Sequence, residues 1–169
     1  MLYDSHTHIN EERYTDKERA EVISKINEAV TAGKLSYVND IGCTLVTSRM
    51  TCSHAEKYPW CYGVVGIHPH WASEADDMTL MMIKSLAGKK KIVGIGEIGL
   101  DFHYDNSPRD VQREVFRKQI RMANDLKMPI VIHSRDADEE TMEILKEEGA
   151  FDSERKSWFS ERPAPQGWE

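Results

Sequence analysis

The chain has 169 residues, of which 40% are hydrophobic and 30% are charged, and this composition excludes wholesale disorder and favours one globular domain. Lys and Arg number 22 against 29 Asp and Glu, so the net charge is −7 and a broad basic surface for nucleic acid or anionic membranes is excluded. No apolar run reaches the roughly 20 residues of a membrane span, and no signal-like segment opens the chain. We therefore expect a cytoplasmic protein that is not bound to a membrane.

Five short apolar runs predict β-strands, and the stretches between them have the apolar spacing of helices. The last three runs are rich in Val and Ile and nearly continuous, which is typical of strands buried on both faces of a parallel sheet. The runs cover residues 1–3, 37–41, 61–67, 91–95 and 129–132. This alternation of strands and helices predicts a parallel α/β fold.

Four helices are predicted between and after these strands. One apolar stripe ends at Gly33, and a second stripe, rich in Met, ends before Gly88; we interpret the Met side chains as core packing. A third helix follows Ser107, which is predicted to cap it, and Pro108 in its first turn. The last predicted helix covers residues 138–148.

The three cysteines, Cys43, Cys52 and Cys61, form no close pair in the sequence. An odd number of cysteines without a C-x-x-C pattern argues against a disulfide framework and against a zinc knuckle. We therefore expect reduced thiols that lie in or near packed elements.

Polar residues able to bind metal ions stand where four of the apolar runs end. They are residues 4–8 (DSHTH), residues 68–70 (HPH), Glu97 with Asp101 and His103 beyond it, and residues 133–136 (HSRD). Six of the seven histidines belong to these strand ends, and His54 is the exception. In parallel α/β barrels the carboxyl ends of the strands converge on the face that holds the active site. The pattern therefore predicts one functional site built from several strand ends.

The first of these strand ends predicts a metal chelate. His6 and His8 are spaced i, i+2, so on a strand both side chains lie on one face and can bind one divalent ion; two ordinary surface histidines are the alternative. Glu97 can offer oxygen to one ion or bridge two, and His133 can supply nitrogen to a second. Mixed imidazole and carboxylate ligands suit zinc, manganese or magnesium, and one or two such ions are predicted.

Residues 94–99 (GIGEIG) match the dinucleotide-binding pattern G-x-G-x-x-G. That pattern should open a helix whose N-terminus meets a pyrophosphate. Here it runs into residues 100–105 (LDFHYD), which do not begin a helix, and Glu97 inside the loop would repel an anion. We therefore expect no nucleotide cofactor.

Four motifs stand in an order and at a spacing that resemble the TatD family of metal-dependent hydrolases, within the amidohydrolase-like barrels. They are DSHTH at 4–8, GIHPH at 66–70, GEIGLDFHY at 96–104 and PIVIHSRDA at 129–137. The resemblance implies a TIM-barrel-like fold. It also implies hydrolysis of phosphodiester bonds, of the deoxyribonuclease type with DNA as substrate, by a divalent metal centre that activates water.

The resemblance implies which residues hold the metal ions. His6 and His8 would bind the first ion, Glu97 would bridge both ions, and His133 would bind the second. The ions, rather than the net charge, would then offset the negative charge of a substrate phosphate. In this way an acidic chain can act on an anionic substrate.

The same resemblance assigns three further residues to catalysis, together with Glu97. His68 would lie near the substrate phosphate, and Asp101 and Arg135 would support the ligands or contact phosphate. The guanidinium of Arg135 suits a forked contact with phosphate. A structural ion pair between Arg135 and a neighbouring Asp is the alternative.

The chain departs from the family pattern after residue 150. Family members continue with a His in a motif resembling HCFSG and an Asp in a motif resembling ETDAP, and neither motif is present. A complete barrel has eight strands in about 250 residues, so five strands predict that residues 1–150 are the N-terminal part of a truncated barrel. Residues 151–169 contain three Pro or Gly breakers and are predicted to form an irregular tail. An unclosed sheet has a free edge through which copies of the chain can associate.

Three interpretations of function follow from these observations. The first is a metal-dependent hydrolase of nucleic acid or another phosphoester. The second is an inactive fragment that binds metal weakly or not at all, because the loss of ligands lowers metal affinity steeply. The third is an amide hydrolase of the same superfamily, which the lack of a strand-end Lys able to bridge metals disfavours. Metal content separates the first two, and a comparison of phosphodiester and cyclic amide substrates tests the third.

Overall fold

The computed structural model describes residues 2–160, except the side chains of Lys156, Phe159 and Ser160. Five strands form one sheet in the order of the chain, and every neighbouring pair is parallel. The strands are β1 Leu2–Thr7, β2 Leu35–Ile41, β3 Cys61–Val65, β4 Ile92–Asp101 and β5 Ile130–Arg135. The predicted parallel α/β fold is thereby confirmed.

Helices connect consecutive strands, as in repeated strand–helix–strand units. The connecting helices are α1 Asp16–Thr31, α2 Leu45–Lys57, a 3₁₀ helix at Pro69–Glu74, α3 Asp77–Ala87 and α4 Arg109–Leu126. Helices α5 Asp138–Glu147 and α6 Glu154–Ser160 follow the last strand. Between residues 2 and 160 no helix combines the length and the apolar character needed to cross a membrane.

The sequence prediction contains no helix at α2, because the buried face of this helix is not apolar in the usual sense. Its buried residues include Thr47, Ser48 and Thr51. Because these side chains carry hydroxyl groups, the sequence does not show the helical spacing of apolar residues here. What starts the helix is a capping box, in which the side chain of Thr44 accepts the backbone N–H of Thr47 and the side chain of Thr47 accepts the backbone N–H of Thr44. Hydroxyl groups thus both begin this helix and pack beneath it.

Strand β4 runs further than its apolar run predicts. The ladder with β5 continues past Glu97, with Gly99 opposite His133 and Asp101 opposite Arg135. A register irregularity between Ile95 and Ile98 leaves Glu97 at a bulge, the kind of feature that re-aims a side chain. The expectation that this strand ends at Glu97 was therefore wrong. The G-x-G-x-x-G segment lies wholly inside β4, and the next helix begins only at Arg109.

The main hydrophobic core lies between the sheet and helices α2 to α5, with Phe116 and Ile83 among its largest fully buried side chains. A smaller cluster around Trp60 and Val38 packs against partly buried residues of α1. Helix α1 itself has no fully buried residue, so it covers the sheet more loosely than the other helices do.

The interpretation of the Met residues of α3 as core packing was wrong. Met78 and Met81 are more than half exposed. The buried stripe of the helix consists of Leu80, Ile83 and Ala87, which are spaced i, i+3 and i+7 and so share one face. The methionines occupy the other faces.

Two further expectations differ from the structure. Ser107 is not the cap of α4, which begins after Pro108 without a side-chain cap; its hydroxyl instead donates to the carbonyl of His70 and holds the 3₁₀ helix. The segment expected to be an irregular tail contains helix α6, and the buried Arg155 of this helix donates to the carbonyl of Met128 and so ties it to the segment before β5. Residues 161–169 lie outside the described residues, and a domain boundary near residue 150 stays a prediction.

Candidate metal centre

The imidazoles at the end of β1 meet the carboxylate in the middle of β4. The Nε2 atoms of His6 and His8 are 3.2 Å apart, and they lie 3.5 and 3.6 Å from Oε2 of Glu97. Two ligands of a tetrahedral zinc ion, each about 2.1 Å from the metal, lie about 3.4 Å from one another. The three donor atoms are therefore spaced as the ligands of one small cation would be.

This meeting requires a curled sheet. Strands β1 and β4 are separated by β2 and β3, and in a flat sheet three strand spacings would put them about 14 Å apart. The contact of 3.5 Å between His6 and Glu97 shows that the open sheet curls at this end, as part of the wall of a barrel does.

The second carboxylate oxygen of Glu97 faces a different histidine. Oε1 lies 3.3 Å from Nδ1 of His133 on β5. Burial raises the pKa of Glu97, but the hydrogen bond from His133 and the neighbouring imidazoles outweigh burial and hold this pKa below its usual value. Glu97 is therefore an ionised carboxylate whose two oxygens point at two separate groups of nitrogen ligands.

Asp101 is fully buried and accepts hydrogen bonds on both oxygens. Oδ2 accepts Nε2–H of His70 at 2.8 Å and Nε2–H of His133 at 3.0 Å, while Oδ1 accepts the backbone N–H groups of His103 and Tyr104. Burial raises the pKa of Asp101, and these hydrogen bonds more than reverse that effect, so its pKa lies well below the usual range. Asp101 is thus placed to orient His133 rather than to touch a substrate.

His68 is buried beside His133, with ring centroids 4.3 Å apart. Burial, helped by the neighbouring His133, lowers the pKa of His68 to about 3, so the ring is neutral at physiological pH. Its Nδ1 accepts the backbone N–H of His70 at 3.2 Å, which places the ring proton on Nε2. Although His68 lies with Glu97 and His133 in a group able to hold a metal ion, this tautomer suits a hydrogen-bond donor better than a ligand.

A family model described as TatD related DNase matches residues 3–163. The chain belongs to this family. It is 43% identical over 150 residues to YabD of Bacillus subtilis, named an uncharacterized metal-dependent hydrolase, with 89% of this chain and 57% of that protein covered. It is 34% identical over 130 residues to the 3′-5′ ssDNA/RNA exonuclease TatD of Cronobacter sakazakii, with 77% and 48% covered. The chain spans about half the length of the curated relatives it matches.

Solved structures show the same architecture for this TatD family chain. The TatD homologue YJJV of Escherichia coli superposes with a TM-score of 0.76 at 21% identity, over 87% of this chain and 56% of that one. An uncharacterized amidohydrolase of Saccharomyces cerevisiae gives a TM-score of 0.66 at 20% identity, over 85% and 51%. At such identities the likeness shows the fold, which is the curled, parallel half-barrel expected from the sequence.

The TatD family chain supports His8 through groups that the sequence prediction missed. Nδ1 of His8 donates to the carbonyl of Ile41 at 2.9 Å, which leaves Nε2 unprotonated and directed at Glu97. Asn10 donates to the same carbonyl and to Oδ1 of Asp40. The sequence feature that could have indicated this supporting network is Asp40, an acidic residue inside an apolar strand.

Asp40 is fully buried and anchors the loop that follows β1. Its Oδ1 accepts the backbone N–H of Ile9 at 2.8 Å, and its Oδ2 accepts Nδ1–H of His54 at 2.7 Å. The histidine that lies away from the strand ends thus belongs to a supporting network rather than to the metal centre.

Arg135 lies at the rim of the site. Its guanidinium lies over the ring of Tyr104, 4.8 Å from the centroid, and no carboxylate within residues 2–160 forms an ion pair with it. The alternative of a structural ion pair is therefore not what the structure shows, and contact with phosphate stays a prediction for this exposed side chain.

A cavity of about 600 Å³ opens beside the metal centre and is lined in part by His8, His70, Cys43 and Tyr104. Sγ of Cys43 lies 3.9 Å from Nδ1 of His8. Burial raises the pKa of Cys43 to about 12, so it is a neutral thiol and not a thiolate ligand. All three cysteines are unpaired, as expected.

Proposed function

We propose that this chain is a metal-dependent hydrolase of phosphodiester bonds, of the deoxyribonuclease type, with DNA as its substrate. The observation that carries the proposal is the position of Glu97, whose two oxygens lie 3.3–3.6 Å from His6, His8 and His133. Histidine and carboxylate donors at this spacing, on the face where parallel barrels place their active sites, support a centre for one or two divalent ions.

The donor set supports zinc at the His6–His8 position. Two imidazoles favour zinc over magnesium, which prefers oxygen ligands and an octahedron with adjacent ligands about 3.0 Å apart. The observed spacings of 3.2–3.6 Å are closer to a tetrahedral arrangement. Manganese and magnesium remain the ions to compare with zinc in a binding experiment.

The residues around this centre supply orientation and hydrogen bonding. A divalent ion held there would supply a water of lowered pKa and positive charge opposite the phosphate. Asp101 fixes the ring of His133, and the carbonyl of Ile41 fixes the ring of His8. His68 offers its Nε2–H to a phosphate oxygen, and Arg135 offers a forked pair of N–H donors.

The relatives support nucleic acid as the substrate class. The Cronobacter protein is named for exonuclease action on single-stranded DNA and RNA. Because this chain is acidic overall, its hold on a polyanion must come from the ions and from a few cations such as Arg135.

Replacement of Glu97 by Gln tests the proposal, since the amide keeps the shape of the side chain and loses its charge. We expect metal uptake from a zinc or manganese buffer, measured by elemental analysis, to fall at least tenfold. We expect metal-stimulated cleavage of a single-stranded oligonucleotide to fall about 100-fold or more. Glu21→Gln, on the exposed side of α1, is the matched control and should behave as the unchanged chain.

Three results would count against the proposal. Full cleavage activity in a His6→Ala, His133→Ala double variant would show that these histidines do not hold a metal ion needed for the reaction. A folded chain that takes up no divalent ion would favour the inactive fragment. Turnover of a cyclic amide without turnover of a phosphodiester would favour the amide hydrolase.

We also propose that copies of the chain associate through the sheet edge and that the protein works in the cytoplasm. For the association, strand β1 is an outer strand, and residues 2–6 within it are exposed, which supports pairing with a second edge. Sedimentation across a range of concentrations tests this, and a monomer at every concentration would contradict it.

For the location, three unpaired cysteines support a reducing compartment such as the cytoplasm.

A further inference from the structure

Two exposed aromatic side chains stand at the cavity beside the metal centre. Trp71 follows β3 and is 38% exposed, and Tyr104 follows β4 and is 52% exposed. Both line the cavity together with His70, whose ring centroid lies 5.8 Å from that of Trp71 and 5.6 Å from that of Tyr104. Single exposed aromatics are common on protein surfaces, but here three rings share one cavity.

Residues of the metal centre hold these two aromatics in place. The backbone N–H of Trp71 donates to the carbonyl of His68 at 2.9 Å, and the backbone N–H of Tyr104 donates to Asp101 at 2.9 Å. The indole of Trp71 lies 5.9 Å from the ring of His68. A group stacked on Trp71 would therefore lie within one nucleotide of the proposed reaction centre.

The charges around the cavity favour a neutral ligand group over phosphate. Glu11, Glu12 and Arg13 also line it, and the guanidinium of Arg13 is held by both oxygens of Glu11, at 3.1 and 3.0 Å. That cation is therefore already neutralised, and Glu12 would repel an anion. A flat, uncharged ring fits the cavity better than a phosphate does, and about 600 Å³ is an ordinary size for a small-molecule site.

We propose that Trp71 and Tyr104 form a stacking platform for a nucleobase of the strand whose phosphate lies at the metal centre. The inference rests on the proposed function and adds a base-binding subsite to it. Aromatic side chains bind bases through their faces, without reading their sequence. Because a base must be unstacked from its neighbours to lie on such a platform, the subsite selects single-stranded ends or gaps over intact duplex.

The test compares two fluorescent phosphorothioate probes, which resist hydrolysis, by anisotropy in a zinc buffer and again with EDTA, so that the contribution of metal to binding is separated from that of the bases. One probe is a short single-stranded thymidine oligonucleotide, and the other has the same backbone without bases. We expect the unchanged chain to bind the base-bearing probe about tenfold more tightly, since stacking contributes about 1–3 kcal/mol for each base. Trp71→Leu should reduce that preference severalfold and leave binding of the base-free probe unchanged. Tyr104→Leu should also reduce the preference severalfold, and it should weaken binding of both probes because it removes the ring beneath Arg135.

Phe151→Leu is the control, because Phe151 is a 60% exposed aromatic between α5 and α6 and should leave the preference intact. Equal affinity for the two probes, or no binding of either probe, overturns the platform. If the base preference is absent while metal-stimulated cleavage persists, only the platform is wrong. If the preference is present while metal uptake and cleavage are absent, the proposed function is wrong and the subsite stands.

Discussion

At the scale of single residues, the site depends on which atom of each side chain is already occupied. His8 uses Nδ1 on a carbonyl and His68 uses Nδ1 as an acceptor, and these bonds decide which nitrogen of each ring is left for a cation or a substrate. Both nitrogens of His133 face carboxylates, Nε2 that of Asp101 and Nδ1 that of Glu97, so Nδ1 would have to be free of a proton to bind a cation. The sequence shows the residue types, but it cannot show this choice, because the partners are distant backbone groups.

Gly99 is a residue whose replacement should disturb the site through the backbone. Its φ of +148° lies where side chains are disfavoured, and an added Cβ would overlap the carbonyl oxygen of His133. We expect Gly99→Ala to lower the free energy of unfolding by more than about 3 kcal/mol, as measured by urea denaturation.

Gly33→Ala is the matched control for that measurement. Gly33 also has a positive φ, +68°, but nothing lies within 4 Å of an added Cβ. Its replacement by Ala should lower the free energy of unfolding by only about 1–2 kcal/mol, the cost of holding a residue with a side chain at positive φ. If the two variants were equally stable, close packing against His133 would not be what requires glycine at position 99.

At the scale of elements, the loop after β1 is held to β2 by Asp40. Every partner that the structure gives its carboxylate is a donor, and these include the backbone of Ile9 and the side chains of Asn10 and His54. An amide in its place would set an N–H against some of these donors in a buried position. That mismatch should loosen the loop that carries His8.

We expect Asp40→Asn to reduce the free energy of unfolding by about 3 kcal/mol or more and to weaken metal uptake. Urea denaturation and elemental analysis measure the two effects. Asp125→Asn serves as the control, because Asp125 is exposed and pairs with Lys84 at the surface, where such pairs contribute little. A stable Asp40→Asn variant with normal metal uptake would show that the loop is held by other contacts.

The elements that the sequence predicted well are those with a continuous apolar run or a helically spaced apolar stripe, although β5 was expected to be buried on both faces and neither it nor α1 contains a fully buried residue. Strands β3 and β5 and helices α1 and α4 were found from Val, Ile and Leu spacing, and the histidines at strand ends pointed to one face. Helix α2 was missed because Thr and Ser form its buried face. The extent of β4 was misjudged because pairing with β5, rather than apolar composition, carries it to Asp101.

At the scale of the whole molecule, the proposed ligands come from opposite parts of the sheet. His6 lies on β1 and His8 follows that strand directly, whereas Glu97 lies on β4 and His133 on the neighbouring β5. Periodicity in the sequence predicts that strand ends share a face, but the approach of β1 to β4 depends on how strongly the sheet curls. The curl arises from the packing of the helices and the register of each pair, which no local pattern encodes.

A cation that binds only the folded chain should raise its stability. Ligand linkage gives about 2.7 kcal/mol when the free ion is 100 times its dissociation constant. We expect zinc to raise the melting temperature of the unchanged chain, followed by calorimetry, and to leave that of Glu97→Gln nearly unaffected. The same rise in both proteins would place the bound ion elsewhere.

The separation of His6 and Glu97 by three strand spacings also determines when the metal site can form during synthesis. Both imidazoles leave the ribosome early, yet their carboxylate partner is made only with the fourth strand. A nascent segment that ended before β4 would hold two ligands of the set and bind an ion weakly. Tight metal binding would therefore begin only when the curled sheet has formed as far as β4. It would depend on the folded sheet rather than on the segment around His6 and His8 alone.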